Sequence, residues 1–231
     1  MARIIEFTHA SLSGKAGGLI YSRNKAGYYT RNAVAVVKPN SDRQMSIKTR
    51  MTAVSQAWQG VDADEKQAWG TYAKNVTVQD RFGGRGTISG AAMFVRTNMS
   101  RKEAGLSTIL EIAPRIFYLG EKDPTVAAAI SEDTQNISLT FDNTLEWANE
   151  VGGKMLVYMG TPQNASREFF NGPFALAGVI SGATPTAPAS PATIAVPKTV
   201  AQGQKVWLQI RILRADGRLS DPFRCNCVVG S

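Results

Sequence analysis

Histidine and cysteine are almost absent from this sequence, and their scarcity excludes most of the common catalytic chemistries. The 231 residues include one histidine, His9, and two cysteines, Cys225 and Cys227. Proton transfer and nucleophilic catalysis usually rely on a histidine placed beside a nucleophile or a carboxylate. The densest carboxylate cluster, within Asp62–Glu65, fits the first turn of a helix, where the helix dipole stabilises negative charge. We therefore expect a protein that is not an enzyme.

Metal and nucleotide sites also lack their usual residues. Cys225 and Cys227 stand at alternate positions without further ligands nearby, so we interpret them as small buried hydrophobic residues. A P-loop needs a glycine five positions before its Gly-Lys pair and a serine or threonine after it. Around Gly14-Lys15 those positions hold His9 and Ala16. The sequence therefore predicts no cofactor, no metal and no bound nucleotide.

Long apolar runs are missing as well. No stretch approaches the roughly 18 to 20 residues that cross a bilayer, and the first residues lack the apolar segment of a signal peptide. With 43% hydrophobic residues the chain can nevertheless bury a core. We expect no membrane partner, and a protein located in the cytoplasm or in something assembled there.

Charge is distributed unevenly along the chain. Residues 1–120 carry 17 lysines and arginines against 8 acidic residues, whereas residues 121–231 carry 9 against 10. A difference of this size indicates two modules with different partners. The basic half suits nucleic acid or an acidic protein surface, because long-range attraction does not distinguish between them.

The first 40 residues predict an N-terminal arm and a β-hairpin. The β-prone runs Gly18–Arg23 and Gly27–Val36 are separated by a polar turn that ends in glycine. Alternation gives neither face of this ribbon a purely apolar character. Because a two-stranded ribbon is marginally stable by itself, we expect another surface to pack against it.

Residues 41–107 predict a module of three helices, followed by a linker at residues 108–124. Ser41 or Asp42 caps a first helix over residues 42–60, with apolar residues spaced to form one stripe. The members of this stripe are Ile47, Met51, Val54 and Trp58. Asp62 and Glu65 have the spacing of a capping box at the start of a second helix, and Ser89 precedes a third that ends near Gly105.

Residues 125–231 predict an antiparallel β-sandwich. Apolar residues alternate within residues 137–141, 206–212 and 223–229, and further β-prone runs occupy residues 154–160, 173–181 and 193–196. Residues 125–136 show no clear first strand. Asp216-Gly217 is a favoured turn pair between the last two long strands. Together the modules predict an α+β protein with an N-terminal hairpin, three helices and a sandwich.

Two kinds of binding remain open for the basic half. The first two helices have the outline of a helix-turn-helix, which favours a DNA-associated protein as the alternative. The second helix, however, exposes few of the arginine or asparagine side chains that read base edges. Docking to another protein is our first prediction, because interfaces favour aromatic residues and arginine. The predicted interface residues are Tyr21, Arg23, Lys25, Tyr28, Arg31, Phe82 and Arg85.

An ordered set of motifs within residues 13–107 resembles a family of tailed-phage and prophage proteins. The set comprises SGKAGGLIYSRNKAGYYTRN, then VVKPNSDRQMSIKTRMTAVSQAWQGVDADEKQAWGTYA, then TISGAAMFVRTNMSRKEAGL. The family shares the glycine-rich start, the Tyr-Ser-Arg-Asn hairpin and paired tryptophans like Trp58 and Trp69. The second half resembles fibronectin type III or immunoglobulin sandwiches in its strand pattern.

This resemblance implies a structural protein of the virion, either a capsid decoration protein or a component of the tail or its connector. It implies that the partners are other virion proteins and further copies of the chain, with nucleic acid a secondary partner. No catalytic residues are carried over by the resemblance. We therefore expect the chain to assemble through its basic N-terminal half and to display its sandwich.

Overall fold

The computed structural model describes residues 13–24, 27–34, 41–79 and 83–231, within which the chain forms three helices and twelve strands. The chain divides into two units, Met1–Ser46 and Ile47–Ser231. The predicted α+β fold is confirmed, with an N-terminal hairpin, three helices and the antiparallel sheets of a sandwich. Among the described residues, no helix has both the length and the apolar character needed to span a membrane.

The first unit contains a three-stranded antiparallel sheet of β1 (Gly14–Ala16), β2 (Leu19–Asn24) and β3 (Gly27–Asn32). Gly17 and Gly18 form the two-residue loop between β1 and β2, with φ angles of 54° and 81°. A Cβ at either position would meet no atom within 4 Å, so the positive φ angles are what require glycine. The strand β1 was not predicted, because Gly-Lys-Ala contains no β-prone residue.

The three predicted helices are confirmed as α1 (Asp42–Gly60), α2 (Ala63–Asn75) and α3 (Gly90–Glu103). The Asp62 carboxylate accepts a hydrogen bond from the Ala63 N–H at 2.9 Å, and the Ser89 hydroxyl accepts one from the Ala92 N–H at 3.2 Å. The short strands β4 (Val78–Gln79) and β5 (Arg85–Gly86) pair between α2 and α3. The side chains that fill the helical core are Trp69, Tyr72, Met93 and Phe94.

Only part of the predicted apolar stripe of α1 is buried. Val54 is fully buried, and the ring of Trp58 lies 5.0 Å from the ring of Phe94. Met51 and Ile47, one and two turns earlier, remain 43% and 45% exposed. The helical periodicity therefore identified a real stripe, but its N-terminal half stays nearly half exposed.

The segment 108–124 contains no helix or strand and packs against α2 and α3. The Trp69 indole N–H donates to the Glu111 carbonyl at 2.7 Å. Asn98 accepts from the Leu110 N–H at 2.8 Å and donates to the Leu110 carbonyl at 3.0 Å. The Glu65 carboxylate accepts from the Ala113 N–H at 3.0 Å, so the residue predicted to complete a capping box fixes this segment.

The second half forms the predicted sandwich. Its strands are β6 (Ala127–Ser131), β7 (Asn136–Thr140), β8 (Lys154–Gly160), β9 (Phe174–Ser181), β10 (Ala192–Ala195), β11 (Lys205–Leu213) and β12 (Phe223–Val228). The sheet β10-β7-β6 faces the sheet β12-β11-β8-β9 across a common apolar core, an arrangement of the fibronectin type III kind. The first strand, β6, escaped prediction because its sequence Ala-Ala-Ala-Ile-Ser has one β-branched residue.

The outer face of the four-stranded sheet is also covered, because the helical part packs on it. Leu156 alternates with the inward-facing residues of β8 and is buried with Leu213 and Leu219 on the outer side. The Tyr158 hydroxyl donates to the Glu103 carboxylate at 2.8 Å, at the end of α3. Helices and sandwich are therefore joined by apolar packing and hydrogen bonds within one unit.

Candidate interaction surfaces

The strand register sorts the predicted interface residues of the hairpin onto two faces. Arg23 stands opposite Tyr28, and Tyr21 stands opposite Thr30, so Tyr21, Arg23 and Tyr28 share one face. The Arg23 guanidinium lies 5.1 Å from the centre of the Tyr28 ring, within range of a cation–π contact. We call this the Tyr21 face. Arg31 belongs to the opposite face.

That opposite face combines apolar, aromatic and basic side chains. Arg31 pairs with Ile20, and Tyr29 pairs with Ser22 across β2 and β3. Tyr29 is 42% exposed, against 54% for Tyr28, so the two tyrosines offer similar surface on opposite sides. Tyr29 was not among the predicted interface residues, although it is the same residue type as Tyr28 and follows it directly in β3.

The sheet β1–β3 has no buried side chain in the part that the structure describes. Of residues 13–23 and 27–34, none falls below partial exposure, and the run from Tyr28 to Asn32 is exposed throughout. Val34, directly after β3, is 79% exposed. A small sheet needs an apolar face packed against something to be stable in water. The sheet therefore lacks the burial that would stabilise it alone.

The hairpin is uniformly basic. Lys15, Arg23 and Arg31 lie in or beside its strands, and the sequence holds no acidic residue between Glu6 and Asp42. No acidic side chain of the same segment can therefore neutralise these cations. Positive potential of this kind favours encounter with an acidic surface.

The remaining predicted interface residues are Lys25, Phe82 and Arg85. Lys25 and Phe82 lie outside the described residues. Arg85 lies in β5 of the second unit, where its Nη2 contacts the Asp221 carboxylate at 3.0 Å. The Asp221 side chain is 3% exposed, so Arg85 forms an ion pair with a buried carboxylate. The Arg85 side chain itself is 58% exposed.

A second exposed surface lies in the segment after α3, where the sequence had predicted only a linker. Four large apolar side chains within seven residues are 50% to 58% exposed. They are Ile112, Ile116, Phe117 and Tyr118, and we call them the 112–118 patch. An unusually dense run of large apolar residues in a segment without helix or strand periodicity was the available signal for it.

The backbone beneath the 112–118 patch is fixed. Besides the Ala113 hydrogen bond, the Tyr72 hydroxyl donates to the Tyr118 carbonyl at 3.4 Å, and Leu119 is 6% exposed. Burial is the main reason that the pKa of Tyr72 rises to about 12, so this phenol remains a donor. Exposed apolar groups on an anchored backbone lose little conformational entropy when they are covered.

The helix-turn-helix alternative receives little support from the second helix. Glu65 accepts from Ala113 and lies 3.6 Å from the Arg115 guanidinium. Lys66 donates to the Gln59 carbonyl at 3.0 Å and lies 6.0 Å from the Trp58 ring. Both side chains, at the start of the helix that would read DNA in this alternative, therefore make contacts within the helical part.

The two cysteines, predicted to be buried, are only half-buried and pack as apolar residues. Both are unpaired thiols on β12, packed at the edge of the sandwich core. Burial raises the pKa of Cys225 to about 12, with a smaller contribution from Cys227, and raises the pKa of Cys227 to about 11. Such thiols are poor nucleophiles at neutral pH. Among the described residues, no cluster of His, Cys, Asp or Glu could hold a metal ion.

Comparison with known proteins does not assign the chain to a family. No protein-family model matches the chain, and no curated protein matches it. The exposed sheet and the 112–118 patch are therefore the features on which a function can be proposed.

Proposed function

We propose that this chain is a structural protein of a bacteriophage particle, which docks onto a neighbouring subunit through its N-terminal sheet and displays its β-sandwich. The observation that carries the proposal is the sheet β1–β3, in which none of residues 13–23 and 27–34 is buried. A sheet of this kind gains stability when a neighbour covers it. Assembly supplies that neighbour.

The Tyr21 face is the face that we expect to dock. It presents two tyrosines and an arginine, which are the residue types most enriched at the energetic centres of interfaces. The contact between Arg23 and Tyr28 holds both side chains in place before docking. A preorganised pair loses less side-chain entropy when the partner arrives.

The 112–118 patch supports a second contact in the assembly. Its four exposed apolar side chains would favour burial against a neighbouring subunit. A protein with two contact surfaces at different places can extend a lattice or ring, whereas one surface makes only a pair. This accords with partners that include other virion proteins and further copies of the chain.

The assignment to a phage particle is supported by the family resemblance of residues 13–107. Capsid decoration and a position in the tail or its connector both agree with the proposal. A small basic sheet suits attachment to a neighbour, and a β-sandwich suits display.

The proposal is tested by following the chain into purified particles. In the phage or prophage that encodes it, we expect mass spectrometry to find the full chain in particles purified through a density gradient. We expect a variant lacking residues 1–38 to be lost from particles while its remaining part unfolds at the same temperature as the full chain. Absence of the full chain from particles would contradict the virion role, and incorporation of the shortened chain would contradict docking through the sheet.

The docking face is tested with the two tyrosines of similar exposure. We expect Tyr28→Ser to reduce incorporation by about tenfold or more, since loss of a central interface aromatic costs more than about 2 kcal/mol. Tyr29→Ser, on the opposite face, is the matched control and should reduce it far less. A reversed order of the two effects would assign docking to the Arg31 side.

A further inference from the structure

A cleft of about 800 Å³ lies in the second unit, between α3 and β4 on one side and strands β9, β11 and β12 on the other. Its lining includes Arg96, Arg211, Arg224, Asp221, Phe169 and Phe174. Cavities that hold small ligands commonly have volumes of about 300 to 1,000 Å³. None of the described contacts that shape this cleft involves the N-terminal sheet, so its role can be considered independently.

Two guanidinium groups converge in the cleft on one carbonyl oxygen. Arg96, from α3, donates through Nη2 to the Ser220 oxygen at 3.2 Å. Arg211, from β11, donates through Nε and Nη2 to the same oxygen at 3.4 Å each. Since both groups reach one atom, they are close neighbours despite their separation in sequence. Each guanidinium has five N–H donors, so most of them remain for another acceptor.

The carboxylate in the cleft is already occupied. Asp221 is 3% exposed, and its Oδ2 contacts Arg85 at 3.0 Å. Its Oδ1 accepts from the Gln79 N–H at 3.3 Å and lies 3.9 Å from Arg96. Among the described residues that line the cleft, three arginines therefore face one carboxylate, whose two oxygens both have partners. The cleft has an excess of positive charge.

This excess charge is partly removed from water. Burial, followed by repulsion from Arg211, lowers the pKa of Arg96 to about 10. Burial also lowers the pKa of Arg211. Arginine side chains stay protonated in proteins, and an anion between these two would stabilise both. An oxyanion is the ligand that matches two guanidiniums best, because their N–H donors fit carboxylate and phosphate oxygens.

The cleft also presents aromatic surface beside these charges. Phe169 is 69% exposed although it is a large apolar residue. Arg224 lies over the ring of Phe174, with its guanidinium carbon 5.3 Å from the ring centre. The site therefore offers a place for an apolar or aromatic group next to a place for an anion.

We propose that the cleft is an oxyanion-binding site for a ligand that joins a carboxylate or phosphate to an aromatic or apolar body. Arg96 and Arg211 hold the oxyanion, Arg224 contacts its outer side, and Phe169 covers the apolar body. Asp221 positions Arg96 and Arg85. The ligand is either a small molecule or the acidic, aromatic end of another polypeptide, since the same recognition chemistry serves both.

Isothermal titration calorimetry on the purified full chain tests this site in chloride buffer at fixed ionic strength. The probes are N-acetyl-phenylalanine, which carries a carboxylate, and its neutral amide, together with phenyl phosphate and inorganic phosphate. We expect at least one aromatic oxyanion to bind with a Kd of about 1 mM or lower. The neutral amide should bind at least about tenfold more weakly, because its carbonyl oxygen brings no negative charge to the two guanidiniums.

Single substitutions assign the binding to the cleft. Arg211→Gln and Arg224→Gln should each raise the Kd of the probe by about tenfold or more. Arg115→Gln is the control, because its side chain is 79% exposed and lies outside the cleft lining. Arg224 is exposed, so its substitution gives a folded variant even if loss of Arg211 destabilises the chain.

The outcomes are distinct. Tighter binding of phenyl phosphate than of inorganic phosphate supports an aromatic body, and equal binding overturns that part of the proposal. A synthetic peptide that ends in Asp-Phe and binds more tightly than N-acetyl-phenylalanine would identify a polypeptide source, whereas equal binding favours a small molecule. The site would be overturned if neither aromatic oxyanion bound at 10 mM, about ten times the expected Kd. It would also be overturned if Arg115→Gln weakened binding as much as the substitutions in the cleft.

Discussion

The N-terminal sheet and the unit Ile47–Ser231 both have regular secondary structure, but they differ in how many side chains they bury. The sheet has three well-paired strands and no buried side chain among residues 13–23 and 27–34. The larger unit surrounds two extensive apolar cores, and its four-stranded sheet has buried residues on both faces. Backbone pairing alone contributes little net stability, because water offers the same hydrogen bonds to an unfolded chain. Burial is what differs between the two regions.

This difference separates a part with its own apolar cores from a part that has none within the described residues. The larger unit buries Trp69, Phe94 and Trp147 completely or nearly so. Each large buried side chain contributes roughly 1.5 to 3 kcal/mol through removal of apolar surface from water. The sheet β1–β3 has no comparable contribution within the described residues. Its tyrosines Tyr28 and Tyr29 remain exposed to solvent.

The largest expected effect comes from truncating one aromatic side chain in each region. We expect Phe94→Ala to lower the free energy of unfolding by about 3 to 5 kcal/mol, because Phe94 is fully buried between Trp58 and Trp69. Tyr28→Ala should change it by less than about 0.5 kcal/mol in the isolated chain. Chemical denaturation of both variants measures the difference. A large loss from Tyr28→Ala would show that the sheet is part of the folded core.

The second effect is a difference in thiol reactivity. At pH 8 we expect Cys225 and Cys227 to react with iodoacetamide at least about 100-fold more slowly than in urea, since burial raises both pKa values from 9.0. A Thr30→Cys variant, at an exposed position of β3, should react almost as fast as in urea. Mass spectrometry of alkylated peptides gives each rate. Slow reaction at position 30 in the isolated chain would contradict the comparison.

The sign of the pH dependence follows from the same thiols. Their folded-state pKa values lie above the unfolded value of 9.0, so the protonated form is favoured by folding. Their contribution to stability is complete below about pH 9 and is lost as the pH rises toward 11 to 12. The protection of both thiols should therefore fall over that interval as the larger unit is destabilised.

The smallest expected effect on stability comes from replacing two glycines of the larger unit, one closely packed and one with open space beside it. A Cβ at Gly90 would lie 2.7 Å from the Gly70 nitrogen, so Gly90→Ala should cost about 1 to 3 kcal/mol. A Cβ at Gly70 would meet nothing within 4 Å, so Gly70→Ala should stabilise α2 by about 0.5 to 1 kcal/mol. Thermal or chemical unfolding shows whether each substitution lowers or raises the free energy of unfolding. Equal effects would mean that α2 and α3 do not approach as closely as described.

Sequence patterns predicted the elements of this fold better than their burial. The caps Asp62 and Ser89 and the alternating strands depend on local chemistry, which a sequence displays directly. Whether Ile47 is covered depends on distant residues, so the helical period of α1 could not show its exposure. The strand β6 has too little β propensity to be recognised, and it forms because β7 pairs with it.

Some of the candidate sites could be predicted from the sequence, and others could not. Tyr21, Arg23 and Tyr28 lie within one hairpin and were selected by residue type, and the strand register places them on one face. The cleft could not be predicted, because Arg96 and Arg211 meet only through the packing of α3 on the four-stranded sheet. The 112–118 patch was missed, although its dense run of large apolar residues in a segment without helix or strand periodicity was a signal for it.

Hydrogen exchange of the backbone amides tests the central claim most directly, with the isolated chain compared with the chain in purified particles. For the isolated chain we predict that amides of β2 and β3 exchange at least about 100-fold faster than those of β8 and β11, because opening the sheet uncovers no core. In particles the β2 and β3 amides should become strongly protected. Protection of β2 and β3 equal to that of β11 in the isolated monomer, unchanged in particles, would contradict the account.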